Sequence, residues 1–398
     1  MSKLNPRQSE AVHYIDGPCL VLAGAGSGKT SVITRKIAYL VETCGYKARH
    51  VAALTFTNKA AREMKERVGS LLKGTASQGL TVSTFHNLGL NIIRRESKLL
   101  GFKPGFSIFD QEDARSLLKE LMLKDGDLDN DHLDRVQNQI SSWKNDLTGP
   151  EQALSVAQSQ GEEHIAIIYQ RYVKALRAYN AVDFDDLILI PAQLFMDNKE
   201  VLKRWQHKIR YLLVDEYQDT NSSQYLLVKL LIGDRGALTV VGDDDQSIYS
   251  WRGARPENMS LLKVDFPTLK VIKLEQNYRS TVRILNAANA VIAQNPKLFE
   301  KTLWSEHGMG DAINVSGAND EEHEAESVVF KLSAHKFERR AQFRDYAILY
   351  RGNFQARLFE QILRRERIPY VLSGGQSFFD KAEIKDLCAY LRLIANAD

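Results

Sequence analysis

The chain is 398 residues long, 44% hydrophobic, and carries a formal net charge of +3. That length holds two or three domains with buried cores, and so mild a charge makes no argument for nucleic acid, which must come from local residues. Three isolated cysteines, Cys19, Cys44 and Cys388, and nine histidines without ligand spacing argue against a disulfide framework and a zinc centre.

The N-terminus MSKLNPRQSEAV is polar, with no signal-type apolar core, and no run approaches the roughly 18 apolar residues of a membrane span. The expectation is a soluble, cytoplasmic protein. The apolar runs PCLVLAGAG, HVAALTFTN and GLTVSTFH are each followed by a helix-period segment. That alternation predicts buried strands of a parallel sheet covered by helices.

From the first run the chain passes through AGAGSGKT, residues 23 to 30, into the helix pattern SVITRKIAYL. This is a phosphate-binding loop pattern with Ala23 in place of the usual first glycine. Across Ala23, Gly24, Ala25, Gly26, Ser27 and Gly28 the glycines let backbone N–H groups curl round phosphates. The helix N-terminus adds its positive end. Lys29 is placed to reach the β- and γ-phosphates of ATP, and Thr30 to bind Mg²⁺. A glycine-rich strand-to-helix turn alone would not need strand, loop, Lys-Thr and helix together.

Residues 86–196 read as a helical insertion. DARSLLKELMLKD and EEHIAIIYQRYVKALRAYN are amphipathic helices, with no clear strand between them. Strands return with YLLVDEY, LTVVGDD and KVIKLEQN. A second α/β segment opens near residue 278, with strand candidates INVSGA, DYAILYR and PYVLSG, and EIKDLCAYLRLIANAD reads as a final helix. The expected organisation is a first domain over 1–85 and 197–277, the insertion at 86–196, a second domain over 278–375, and the start of a further insertion at 376–398.

LLVDEYQD, residues 212 to 219, carries an apolar strand to the sheet edge, where two acids appear. Asp215 would hold Mg²⁺, and Glu216 would orient or deprotonate the attacking water. A strand-end acid pair that merely caps a helix is the plain alternative, and the phosphate loop tips the balance against it. In VGDDDQSIYSWRGA, residues 241 to 254, Gln246 lies four residues past Gly242, where its amide can meet a γ-phosphate or the water. Trp251 and Arg252 follow within ~20 Å of it by chain length. The loop therefore reads as a coupling element, amide to ATP at one end, aromatic and guanidinium to single-stranded nucleic acid at the other. Tyr249 and Trp251 as ordinary core aromatics stay open at this point.

The chain resembles superfamily 1 DNA helicases of the UvrD/Rep type. The likeness runs from LNPRQSEAV to the last residue through AGAGSGKT, TFTNKAAREMKERV, STFHNLGL, DFDDLIL, LLVDEYQDTN, VVGDDDQSIYSWRGA and LEQNYRS. It implies an α/β fold: a RecA-like parallel-sheet motor domain with a helical insertion, plus an incomplete second RecA-like domain. By resemblance, Gln8 reads the adenine edge, Tyr278 stacks on adenine, and Arg279 reaches the γ-phosphate across an interdomain cleft. Phe56, Phe184, Tyr249, Trp251 and Arg252 line the single-strand track, with Asn58, Thr84 and His86 nearby. His86 and Phe184 as packing residues, and Arg279 in a surface ion pair, remain alternatives. The resemblance implies ATP and Mg²⁺, 3′ to 5′ movement on single-stranded DNA, and tailed or forked duplex DNA as substrate. It leaves a monomer and a DNA-induced dimer both open, and no membrane is implied.

Family members continue past this point with a large inserted subdomain and the rest of the second motor domain. The expectation is thus an N-terminal portion of a longer helicase, which binds ATP·Mg but turns over at least ~10³-fold more slowly than an intact enzyme. A non-catalytic nucleotide- or DNA-binding module, a superfamily 1 RNA helicase and an unrelated phosphate-loop enzyme such as a kinase are the competing readings. DEYQD and the Trp-Arg loop count against the last. Stimulation of ATP hydrolysis by single-stranded DNA separates the first from an active motor.

Overall fold

Among the described residues eight strands form, and six of them are the apolar runs that the sequence marks. In chain order they are β1 Cys19–Ala23, β2 Val51–Thr55, β3 Thr81–Thr84, β4 Ser107–Phe109, β5 Ala181–Asp183, β6 Tyr211–Val214, β7 Leu238–Gly242 and β8 Lys270–Leu274. The computed structural model describes residues 4–72, 74–123, 130–373 and 382–395. Six strands make one sheet in the order β3-β2-β6-β7-β1-β8, and every neighbouring pair is parallel. In register, Val21 sits between Val241 and Ile272, and Leu54 lies beside Val214.

Side chains alternate across such a sheet with a period of two. Leu20, Leu22, Ala52, Leu54, Leu212 and Val214 pack on one face with Trp205 and Leu227. Cys19, Val21, Ala23, Ala53 and Leu213 pack on the other with Ile33, Ile37 and Val68. Both faces are covered by helices, so β1, β2, β6 and β7 are buried at every residue. That is why they read as continuous rather than alternating apolar runs. The edge strand β8 is different: Lys270 and Lys273 are exposed, a charged edge that discourages pairing with another chain.

The insertion has its own core, where helices Gln111–Leu123, Asn130–Asn145 and Gln160–Ala178 share Leu117, Leu118, Val136, Ile140, Tyr169 and Tyr172. It is not strandless as expected. β4 and β5 pair in parallel, Ser107 with Ala181 and Phe109 with Asp183. At three residues each they are too short to show a periodic signal.

The described residues from 312 to 395 form a second compact unit. Its helices Glu321–Arg339 and Ala356–Arg365 pack on Ala325, Val329, Ile362 and Leu363, and a helix spans Ala382–Ala395. The three expected strands here are a correction. INVSGA, DYAILYR and the described part of PYVLSG, residues 369–373, show no strand pairing among the described residues. Their apolar side chains Val315, Leu349 and Val371 are exposed. Apolar alternation suits a strand, but a strand exists only where a neighbour completes its ladder. No helix among the described residues is long and apolar enough to cross a membrane.

Candidate functional site

Because every strand of the large sheet is parallel, all six carboxyl ends open on one edge. Ligands of open α/β sheets bind at that edge. Here the chain leaves β1 into Gly24, β2 into Phe56, β3 into Phe85, β6 into Asp215, β7 into Asp243 and β8 into Glu275.

The loop after β1 is a cradle. Gly26 and Gly28 have φ of 69° and 88°, conformations that a side chain disfavours. A Cβ on Gly26 would also stand 2.6 Å from the Asn277 side chain and 2.8 Å from Arg279 Cβ. Gly28 caps helix Lys29–Glu42, which places Lys29 and Thr30 in its first turn, where the helix dipole favours an anion. The Ser27 hydroxyl donates to the Gly24 carbonyl at 2.7 Å, and the Thr34 hydroxyl to the Thr30 carbonyl at 2.8 Å.

Lys29 Nζ donates to Glu216 Oε2 at 2.8 Å and to Gln246 Oε1 at 3.4 Å. The loops after β6 and β7 therefore both bring an acceptor to the ammonium at the end of the loop after β1. Glu216 sits at φ 50°, a left-handed turn that lifts its side chain off the end of β6. Gln218 ties the β6 and β7 loops together: its Nε2 donates to Glu216 Oε2 at 3.0 Å, and its Oε1 accepts from Asp243 N at 3.0 Å. Asp215 is only 5% exposed and accepts from Glu216 N at 3.0 Å. Burial, reinforced by the Glu216 charge and opposed by Lys29, pushes its carboxyl up to about 6. Asp219 is pushed up to about 6 by the same two causes in the same order, and its buried Oδ1 has no hydrogen-bond partner. Buried Asp215 and partly buried Asp219 are two carboxyls short of positive charge, and such oxygen donors suit a hard divalent cation such as Mg²⁺.

The segment after β8 closes over the cradle. Tyr278 N donates to the Gly26 carbonyl at 2.9 Å, and Asn277 Nδ2 donates to the Ala25 carbonyl. Asn277 Oδ1 accepts from Arg279 N at 2.8 Å and Ser280 N at 2.7 Å. This turn sets exposed Arg279 beside Gly26. Gln8 is buried, its Nε2 donating to the Ser27 carbonyl at 2.8 Å and its Oε1 accepting from Asn5 N at 3.1 Å. Asn5 Nδ2 in turn donates to Tyr278 Oη at 2.8 Å. Tyr278 and Gln8 thus lie on one hydrogen-bonded wall, and Gln8 keeps one N–H and one lone pair for a ligand.

The aromatic residues fall in two groups. Off β2 and β3, Phe56 packs against Phe85 with ring centroids 5.5 Å apart, and Asn58 Oδ1 accepts from Asn87 Nδ2 at 3.3 Å. Thr84 is buried, and its hydroxyl caps helix Phe85–Arg95 by accepting from Asn87 N at 3.2 Å. His86 meets half-exposed Phe184 edge to face at 6.1 Å, and burial holds its imidazole below the usual range. A Cβ on Gly89 would strike the Leu187 carbonyl, so this glycine lets the helix carrying His86 approach the one that follows Phe184. Off β7, Trp251 is 69% exposed. The Arg252 guanidinium lies 4.4 Å from its ring centroid and 5.6 Å from that of Tyr249.

Sequence reasoning missed Asn5, Asn277, Gln218, Asp219 and Lys301. The first four sit inside the quoted motifs, and Asn5 directly before Pro6 carries a turn-and-cap signal. Lys301 gave none. Its ammonium, buried, lies 2.8 Å from Asp243 Oδ1, 2.8 Å from Asp245 Oδ2, and against Asp244. Burial alone would lower its pKa, but the three carboxylates outweigh that and hold the ammonium charged.

Residues 4–267 match the family described as UvrD/REP helicase N-terminal domain, and residues 272–398 match the UvrD-like helicase C-terminal domain. The chain is 61% identical over 398 residues to the ATP-dependent DNA helicase Rep of Escherichia coli (strain K12), covering 100% of this chain and 59% of that protein. It is 49% identical over 395 residues to the Rep helicase of Buchnera aphidicola subsp. Schizaphis graminum, covering 99% of this chain and 60% of that one. To the ATP-dependent DNA helicase PcrA of Staphylococcus aureus (strain Mu50) it is 44% identical over 400 residues, covering 100% of this chain and 54% of that protein. The chain thus spans a little over half the length of these curated relatives.

Proposed function

This chain belongs to the UvrD/REP helicase family, and from that premise we propose that it is the nucleotide- and strand-engaging portion of an ATP-dependent DNA helicase. Its relatives are named as such enzymes. The reaction is ATP hydrolysis coupled to 3′ to 5′ movement on single-stranded DNA and to opening of tailed or forked duplexes; the polarity rests on the family likeness.

The observation that carries this reading is the convergence of Lys29, Glu216 and Gln246. With ATP in the cradle, the γ-phosphate competes for the Lys29 ammonium. Lys29 then leaves Glu216, whose carboxylate is freed to accept a proton from the attacking water. Gln246 sits between that event and the Tyr249-Trp251-Arg252 cluster, so a change at the phosphate reaches the aromatic platform through six residues of loop. Thr30 and Asp215 would hold Mg²⁺, which when bound neutralises phosphate charge. Tyr278 and Gln8 flank the adenine, and Arg279 serves the γ-phosphate. Phe56, Asn58, His86 and Phe184 receive bases and backbone on the other side of the sheet edge, with Thr84 holding the turn that presents His86.

Lys29→Ala should abolish tight ATP·Mg binding. In the full-length protein, Glu216→Gln should bind nucleotide and lose hydrolysis stimulated by single-stranded DNA. Affinity and turnover are measured separately, with and without oligonucleotide. Normal hydrolysis by Glu216→Gln would show that another group takes the proton.

A further inference from the structure

We infer that Lys301 is a positioning residue for Gln246: by gripping Asp243, Asp244 and Asp245 it fixes the carboxylate that turns the Gln246 amide toward Lys29. The inference rests on the role proposed above for Gln246.

Oxygens of the three aspartates lie within 4.8 Å of one another. Three carboxylates so close repel strongly unless a cation stands between them, and the Lys301 ammonium takes the place that a divalent ion would occupy elsewhere. Asp243 is the member that reaches the reaction. Its Oδ2 accepts from Gln246 Nε2, and its carbonyl accepts from Gln246 N at 2.9 Å. With the Nε2 end held, the Oε1 end faces Lys29 Nζ. A chain of ammonium, carboxylate, amide and ammonium therefore runs from Lys301 to Lys29. The segment bearing Lys301 is itself anchored: Phe299 N donates to Asp244 Oδ2 at 3.2 Å, and Leu303 lies where a Cβ on Gly24 would be. One stretch of chain thus touches both the phosphate cradle and the loop that senses it.

A merely structural ion cluster would change stability without changing the link between ATP and DNA. The test uses the triple variant Lys301→Met/Asp244→Asn/Asp245→Asn, which removes the cation together with two of the three charges it holds and leaves Asp243 as the acceptor for Gln246. Unfolding, affinity for a fluorescent ATP analogue, and the ratio of oligo(dT) affinities with and without a non-hydrolysable ATP analogue are measured. The triple variant should fold and bind each ligand alone within about twofold of the parent. It should lose the nucleotide-dependent ratio as Gln246→Ala does, and adding Gln246→Ala to it should change the ratio no further. Asp243→Ala severs the same link from the other end and should give the same loss. A parental ratio in the triple variant or in Asp243→Ala overturns the inference, as do effects that sum independently with Gln246→Ala. If Gln246→Ala itself leaves the ratio unchanged, the reading of the loop fails, and the inference falls with it.

Discussion

Asp215 is a carboxyl held in a place that penalises its charge. Its folded pKa near 6 lies above the unfolded value of about 3.9. The native state therefore keeps a proton that the unfolded chain releases, and stability falls as pH rises from about 4 to about 6, then levels off. The loss is about 2–3 kcal/mol at pH 7.5. Asp215→Asn should recover that amount at pH 7.5 and almost nothing at pH 4, read by urea unfolding at both, while losing Mg²⁺-dependent nucleotide affinity. A gain of equal size at both pH values would mean that the charge is not the cause. Trp251 is the opposite case, a large side chain spent outside the core. Trp251→Ala should weaken oligonucleotide binding by ~1–3 kcal/mol and leave the melting temperature nearly unchanged; a large drop in melting temperature would return Trp251 to the packing reading. At this scale the sequence names Lys29, Glu216 and Gln246 because each sits in a short local pattern. Lys301 is invisible because Asp244 is 57 residues away along the chain, and nothing local distinguishes it from a solvated lysine.

Elements were legible in proportion to their length and burial. The four inner strands of the large sheet stand out as apolar runs because both faces are covered. β4 and β5 do not, because three residues carry no period. INVSGA and DYAILYR show that the reverse error is equally physical: the pattern fits a strand, and the missing ingredient is a neighbour. The insertion is fastened by an element end that no pattern reveals. Helix Asn130–Asn145 carries Lys144 in its last turn, fully buried, donating to Asp183 at 2.6 Å and Asp186 at 2.8 Å. Tyr172 also donates to Asp183, at 2.9 Å. Removing the cation strands buried carboxylates, so Lys144→Met should cost about 3–5 kcal/mol. Chemical denaturation measures the loss, and 1 M salt should not restore it, because screening hardly reaches a buried pair. A cost under about 1 kcal/mol would place this cluster with exposed ion pairs.

The whole molecule carries a net charge of only +3, and the proposed strand track holds five aromatic or imidazole rings and one guanidinium. Affinity should then come chiefly from stacking. For one to three phosphates neutralised, log affinity against log salt should slope between about −0.7 and −2. Oligonucleotide titration from low to moderate NaCl reads this directly. A slope steeper than about −4 would point to cations beyond the track, with RRESK at 94–98 as the first to test.

The lid over the phosphate cradle has a consequence for how the protein comes to be. Asn277 grips Ala25 from 252 residues away, and Lys301 and Leu303 arrive later still. Contacts so distant in sequence form late, since the chain must surrender the entropy of a large loop before gaining anything from them. A nascent chain that has built β1, its glycine loop and the following helix still lacks a finished ATP site. Nucleotide affinity is therefore the last property that refolding restores, and a fluorescent ATP analogue added during refolding should report it only after the helical signal has fully returned.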